Sequence, residues 1–540
     1  MSVSAAGTLD TDDNANRRAR ERALAALADF RVQPTGVVNY RSAGRLLLIG
    51  DAPPVLERTA AETAALNPCV LLLGGEQVAL RPGLELLHGR RAEVRLTGWL
   101  GEFKLRTAAP GDEVRAFDLV LDLLDSPLIA AALPPPGYFA PRRDDRMLTS
   151  VLEQLPELAG EFEKPRYFAY DPSICAHGMK GMEACRRCIE ACPAEAITSL
   201  SERIEVDPHL CQGGGACATA CPSGALTYAY PGPGDSLERV RRLLGTYRSV
   251  GGRDAVLLIH DSASGAQALG TLERGDPLPG RVLPYAAEEV ASLGLEFWLS
   301  ALAYGARSIR LLDTPQIPAQ ARQEVDRQLG YARTILAGLG YPEKALGWLA
   351  GAADLSPEMP PIAPTGYAGL DAKRQVLYLA LDHLHAQAPR PRPLVELPAG
   401  APFGTAAVDE KACTLCLSCV TVCPGRALQD GHDRPQLRFI EANCLQCGLC
   451  TRACPEDAIW ISPRMLFDAA QRNRVRLLRE EAPFLCISCG KPFATTTVIA
   501  RMEERLGGHW MFQGQRARSR LRMCADCRVV DMMREEQQPS

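Results

Sequence analysis

The sequence predicts a multidomain chain of mixed α/β and α+β build, and three observations predict it. The phrase C-P-x-x-A-[IL] occurs four times, at Cys192, Cys221, Cys423 and Cys454, each time closing a run of closely spaced cysteines. Two long stretches, 41–140 and 235–390, instead alternate short apolar runs with helical periodicity, the pattern of strand–helix–strand units. Two C-x-x-C pairs, Cys486/Cys489 and Cys524/Cys527, stand apart near the end.

Composition bounds what such a chain can be. At 540 residues the prior is about three or four domains. With 46% hydrophobic and 23% charged residues, it can bury several cores without help from metals. A net charge of −4 gives no basic footprint, so no nucleic-acid partner is expected. No stretch reaches the roughly 18 apolar residues of a membrane helix, so no membrane insertion is expected. The opening MSVSAAGTLDTDDNANRRARER has no apolar core segment, and no apolar run follows Arg17-Arg18; it does not read as a secretory signal. Of 20 cysteines only Cys69 stands alone. Disulfides rarely show C-x-x-C-x-x-C spacing, whereas metal sites do, and a reducing cytoplasm suits so many thiolates.

Taken in order, residues 1–40 read as an extension, with a docked or frayed helix over Asn16–Phe30. The first α/β domain, 41–140, has strands at Arg45–Gly50, Cys69–Gly75 and Asp118–Leu124 and a helix at Val55–Leu66. Gly50 ends a strand, but G-x-G-x-x-G is absent, so no nucleotide site is assigned. Cys69 is expected to face the core of its strand. Pro134-Pro-Pro-Gly breaks the pattern. Residues 141–232 begin with a helix at Arg146–Phe162 and hold the first cysteine region. Residues 235–390 have no cysteine and read as a second α/β unit of Rossmann- or flavodoxin-like grammar. Its strands are Ala255–His260 and Ser308–Asp313. Its helices are Glu288–Tyr304, stopped by Gly305, and Pro318–Gly338. Ala388-Pro-Arg-Pro-Arg-Pro is a stiff linker. The second cysteine region spans 404–465, and a C-terminal module spans 470–535.

The second cysteine region has the most specific spacing. Cys413-x2-Cys416-x2-Cys419-x3-Cys423-Pro precedes Cys444-x2-Cys447-x2-Cys450-x3-Cys454-Pro. A cubane iron–sulfur cluster needs four thiolates around one compact object. A tight loop supplies three and the other run supplies the fourth. Cys413, Cys416, Cys419 and Cys454 are therefore assigned to one [4Fe–4S] cluster, and Cys444, Cys447, Cys450 and Cys423 to another. Zinc usually takes ligands as two pairs, and two regular quartets argue against it.

The first region departs from that pattern. Its runs are Cys185-x2-Cys188-x3-Cys192-Pro and Cys211-x5-Cys217-x3-Cys221-Pro, each short of one cysteine. Met182 stands in the first vacancy. Cys175, seven residues earlier, replaces it if residues 176–184 loop out, so Cys175, Cys185, Cys188 and Cys221 make a third [4Fe–4S] site. Gly214 stands in the second vacancy, with no spare cysteine nearby. Cys211, Cys217 and Cys192 then suit a [3Fe–4S] cluster, or a [4Fe–4S] cluster with a non-cysteine fourth ligand. His209 is the nearest such candidate, although a surface histidine in a turn is the simpler reading. A degenerate, empty site is the third option. The triple glycine permits close backbone approach, which favours a filled site.

At the C-terminus, Cys486, Cys489, Cys524 and Cys527 form a split four-thiolate set of zinc-ribbon or treble-clef type. Structural zinc is the favoured reading. Rubredoxin-like iron and a redox dithiol are the alternatives.

Cys413 to Ile459 resembles bacterial two-cluster ferredoxins throughout, and Cys175 to Leu226 resembles them with the departures above. The whole chain resembles the large multi-cluster ferredoxin-like proteins found with molybdenum-dependent formate dehydrogenases in proteobacteria. The resemblance is carried by Glu161-Phe-Glu-Lys-Pro-Arg-Tyr-Phe, Cys175-Ala-His-Gly, Cys486-Ile-Ser-Cys-Gly-Lys-Pro-Phe and Met523-Cys-Ala-Asp-Cys-Arg-Val. It implies a cytoplasmic electron carrier or an accessory protein of a formate-oxidising system. Val282-Leu-Pro-Tyr and Glu288 to Leu312 resemble the small iron–sulfur subunit of methyl-viologen-type hydrogenases. That family's domain uses cysteines that this stretch lacks, which implies a scaffold or docking role here. The expected function is electron transfer between redox partner proteins through up to four clusters. The alternatives are a maturation factor for a metalloenzyme, or a catalytic redox subunit using the three-cysteine cluster.

Overall fold

The computed structural model describes the chain apart from residues 1–4, 34, 75–83, 108–113, 143, 276, 369–371, 433 and 537–540. Two parallel sheets carry the α/β domains. In the first, the strands run Glu85–Gly89, Cys69–Leu73, Leu46–Gly50, Leu119–Asp122 and Tyr138–Phe139 in spatial order. Its three central strands are buried along their whole length, as unbroken apolar runs must be when both faces are covered. Cys69 is buried there, and burial pushes its thiol up to about 12.

The second sheet orders Val282–Ala287, Val256–Asp261, Ser308–Leu311 and Leu346–Trp348, all parallel. Helices Pro233–Ser249, Leu295–Ala303, Ala319–Gly338 and Lys373–Ala386 pack into its core around Tyr247, Trp298 and Tyr304. The expected helix Glu288–Tyr304 is broken: Val290–Ser292 is a 3₁₀ turn, and the α-helix starts at Leu295. Gly294 makes the break with extended backbone. A Cβ there would meet Thr219 of the first cysteine unit at 3.0 Å.

Two other expectations shift. The helix predicted over Arg146–Phe162 runs only Asp145–Gln154. Pro156 tightens the next turn to 3₁₀, and Gly160–Pro165 becomes a strand paired with Val37–Ser42. The N-terminal helix spans Ala5–Ala25 and docks on the second α/β domain. Ala19 and Ala23 are buried there, Arg20 donates to Pro279 O, and Gly280 N donates to Asp13 Oδ1.

The cysteine units are small. The first joins Phe168–Tyr170 to Leu226–Tyr228, with a hairpin at Ile197–Leu200/Arg203–Val206 and short helices Arg187–Glu190 and Ala216–Ala220. The second joins Gly404–Val408 to Ile459–Leu466, with a hairpin at Leu428–Gly431/Arg434–Phe439 and helices Ser418–Thr421 and Leu449–Ala453. The proline linker runs into a strand, Leu394–Glu396, on that same sheet edge. A hairpin, Pro483–Leu485/Pro492–Thr495, and three helices complete the chain.

Candidate metal centres

The repeated phrase has one backbone geometry. In all four copies the third residue after the cysteine is left-handed: Glu195 (φ 50°), Gly224 (79°), Arg426 (51°) and Asp457 (49°). The proline turns the chain away and this residue turns it back. An amide then reaches the cysteine's own sulfur. Leu226 N donates to Cys221 Sγ (3.4 Å), Leu428 N to Cys423 Sγ (3.5 Å) and Ala458 N to Cys454 Sγ (3.2 Å). Around Cys192 the amides of Ala196, Ala194 and Glu195 play this part.

The tight loops share a second geometry. Left-handed residues alternate with cysteines at Leu415 and Leu417, and at Gln446 and Gly448. Such alternation points successive N–H groups inward, a concavity for anions. Leu415 N and Gln446 N serve Cys413 and Cys444, and the Gln446 amide side chain adds a bond to Cys444 Sγ at 3.2 Å. In the first unit Gly213 and Gly215 repeat the alternation, with φ of 81° and 75°. Gly214 thus occupies the place of Cys416 and Cys447. Its neighbours must be glycine: a Cβ on Gly213 would meet the Tyr167 ring at 2.9 Å, and one on Gly215 would meet Ser292 Cα at 2.5 Å. Gly214 has no such constraint, and nothing lies within 4 Å of where its Cβ would stand.

Cysteines of different runs converge as sets. Cys413, Cys416, Cys419 and Cys454 line one small cavity, with Leu437 and Ile459. Cys423, Cys444, Cys447 and Cys450 line another, with Phe439 and Ile461. In the first unit, burial raises the Cys188 thiol, and the charges of Cys221, Cys185 and Cys175 raise it further. Burial likewise raises Cys217, reinforced first by Cys192 and then by Cys211. Cys175 thus lies among the electrostatic neighbours of Cys188 with Cys185 and Cys221, and Cys192 and Cys211 are the foremost neighbours of Cys217. The residues before Cys185 fold as a hairpin, Gly178–Met179/Met182–Glu183. Buried His177 pins it, its ring bonding Cys185 O at 2.8 Å and Ser199 Oγ at 2.7 Å. His209 stacks on Trp99, with ring centroids 4.6 Å apart and planes within 6°.

Packed thiols repel one another once ionised. Burial pushes Cys419 up to about 12 and Cys447 up to about 11, and neighbouring thiolates add to both. Thiolates packed this closely need positive charge among them, which cluster iron provides. The residues present fit such a group: convergent sulfurs, amides aimed at them, and apolar walls. Each set also has one cation that favours its thiolates: Arg187 for Cys185, Lys164 for Cys211, Arg479 for Cys413 and Arg374 for Cys444.

The C-terminal set is built differently. The four sulfurs of Cys486, Cys489, Cys524 and Cys527 lie within 4.8 Å of one another, the only set so compact among the described residues. Cys489 and Cys524 sulfurs are 3.8 Å apart. A tetrahedral ion with metal–sulfur bonds of about 2.3 Å has an edge of roughly 3.8 Å. The four sulfurs are spaced so that they could hold one ion. Burial opposes ionisation of Cys486, yet amides of Cys524, Cys489 and Ser488 bring it down to about 6.

Comparison with known families agrees with this geometry. Residues 412–459 match a family described as a 4Fe-4S dicluster domain, and residues 183–225 match a second family of the same description. The chain carries two 4Fe-4S dicluster domains. Such domains bind iron–sulfur clusters and support an electron-transfer role. No curated protein matches the chain. The match in the first cysteine region starts after Cys175. Sequence reasoning did not single out Lys164, His177, Arg374 or Gln446. Their partners are mostly main-chain atoms and sulfurs, so that even Lys164 and His177, which lie inside the quoted stretches, carry no role legible there. Among the described residues no helix is long and apolar enough to cross a membrane.

Proposed function

We propose that this chain relays electrons between redox partner proteins through up to four clusters. The observation that carries the reading is the convergence of fifteen cysteines into three sets of four and one of three, each with inward amides and one cation. When bound, a [4Fe–4S] cluster gives and takes one electron and transfers no atoms. The chain's own residues hold it, keep water out with apolar walls and tune it with N–H groups on sulfur. The C-terminal thiolates hold zinc in this reading and fix the tail against the second dicluster domain, where Thr495 Oγ1 donates to Thr414 O.

A formate dehydrogenase is the partner favoured by the resemblance of the cysteine-bearing stretches. Anaerobically reconstituted chain tests the function directly. Iron and sulfide counting with EPR should show four clusters that cycle reversibly without substrate. Clusters that form but cannot be reoxidised would sink the carrier reading. Formate-dependent reduction through a formate dehydrogenase tests the partner. A second reading, ligand exchange at the three-cysteine site, is favoured by the open space at Gly214; ligand-induced changes confined to that site's EPR signal would support it.

A further inference from the structure

The two dicluster domains are separated in sequence by the whole second α/β domain, yet their inner ligand sets meet. Within each domain one short helix links neighbouring sets: Ala216–Ala220 carries Cys217 of one set and ends at Cys221 of the next, and Leu449–Ala453 carries Cys450 of one set and ends at Cys454 of the next. Between the domains, side-chain contacts to the backbone fall beside Cys221 and Cys185 on one side and at Cys444 on the other.

We propose that the four sets form one unbranched file. Its order is Cys192/Cys211/Cys217, then Cys175/Cys185/Cys188/Cys221, then Cys423/Cys444/Cys447/Cys450, then Cys413/Cys416/Cys419/Cys454. The joint between the second and third sets is clamped by two arginines. Arg374 begins the helix Lys373–Ala386 of the α/β domain. Its guanidinium reaches Pro222 O at 3.5 Å, beside the ligand Cys221. It also reaches Ala442 O at 2.9 Å and Cys444 O at 3.1 Å in the other domain. Tyr378, one turn on, donates to Ala442 O at 3.0 Å. Lys373 holds the first domain through Ala218 O (2.8 Å) and Thr219 O (2.9 Å). Arg452, in the helix that follows Cys447, donates directly to Glu183 O beside Cys185. Arg374 is thus a positioning residue: it touches the backbone of both ligand loops.

The ends of the file differ from its middle. Of the fifteen ligands only Cys416, in the last set, is exposed. At the other end the open place is Gly214. Those two ends are where outside partners can approach closest.

The inference rests on the carrier reading but is tested apart from it, on full-length reconstituted chain by EPR of the reduced clusters. Cys188→Ser with Cys221→Ser removes the second set's cluster. The file predicts that the third set's signal then loses the part of its spin-coupling broadening that crosses the joint while keeping the part due to the fourth set, and that Cys447→Ser with Cys450→Ser narrows the second set's signal in return. If either double variant also empties the opposite domain, spin relaxation on the intact chain during stepwise reduction decides, by showing or lacking coupling across the joint. Arg374→Ala, at unchanged iron and sulfide content, should weaken that coupling, and Arg374→Lys should retain part of it. Clusters that load and cycle but couple only within each dicluster domain overturn the file and leave the carrier reading standing. A chain whose clusters never cycle overturns the carrier reading itself.

Discussion

Between two glycines held in left-handed backbone, Gly214 has ordinary torsions and empty space where a Cβ would stand. A thiol fits there as it does at Cys416 and Cys447. Gly214→Cys is expected to add one iron per chain and to replace any [3Fe–4S] EPR signal with that of a [4Fe–4S] cluster. Gly215→Ala should instead empty this site alone. A left-handed alanine costs about 1–2 kcal/mol, and its Cβ would run into Ser292. The vacancy itself was legible from spacing, but the freedom of Gly214 and the constraint on its neighbours were not, because both depend on Tyr167 and Ser292 from elsewhere. Gln446 offers a second test. Leu415 holds the matching left-handed position in the sister loop, so Gln446→Leu keeps the backbone and removes one N–H···S bond. Losing about 1 kcal/mol of preference for the reduced cluster lowers a one-electron potential by roughly 40 mV. Redox titration of the third set's signal measures it.

At the scale of elements, the parallel strands were readable because an apolar run buried on both faces has no other explanation. The helix ends were less so. Pro156 and Gly294 end or interrupt helices whose apolar periodicity continues past them, since pairing of Gly160–Pro165 with Val37–Ser42 and contact with Thr219 override local preference. In the zinc reading proposed above, the C-terminal hairpin and helices depend on that ion. Cys486→Ser with Cys489→Ser should lose one metal per chain, leave iron–sulfur content intact and open residues 483–536 to protease; elemental analysis and limited proteolysis read both. In the second α/β domain, burial raises Glu289 from 4.5 to about 7, with Asp261 and Glu288 adding to it. The folded state therefore holds this proton more tightly than the unfolded one. That contribution is complete below about 4.5 and is lost as pH rises through about 7. Glu289→Gln should flatten the fall in thermal midpoint between pH 5 and pH 8, and an unchanged pH profile would count against this assignment.

For the whole molecule, the second α/β domain is the frame. It receives the N-terminal helix on one side and sends Lys373 and Arg374 into both dicluster domains on another. Deleting residues 2–25 uncovers the sites of Ala19 and Ala23 and breaks the Arg20 and Asp13 contacts. It should lower the melting midpoint of the second α/β domain, a unit of roughly 150 residues, by about 2–4 °C per kcal/mol lost while leaving the cluster EPR signals in place. The absence of cysteine in this domain was plain from the sequence. Its task as a clamp was not, because the arginine and the carbonyls it binds lie far apart along the chain. That arrangement also sets an order of birth. Every thiolate of the first two sets lies within residues 175–221, and every thiolate of the last two within 413–454. A chain emerging from the ribosome folds its leading domains first. The leading half can therefore take up its iron and sulfide while Arg374 is still unmade, and the trailing half arrives at a neighbour already loaded.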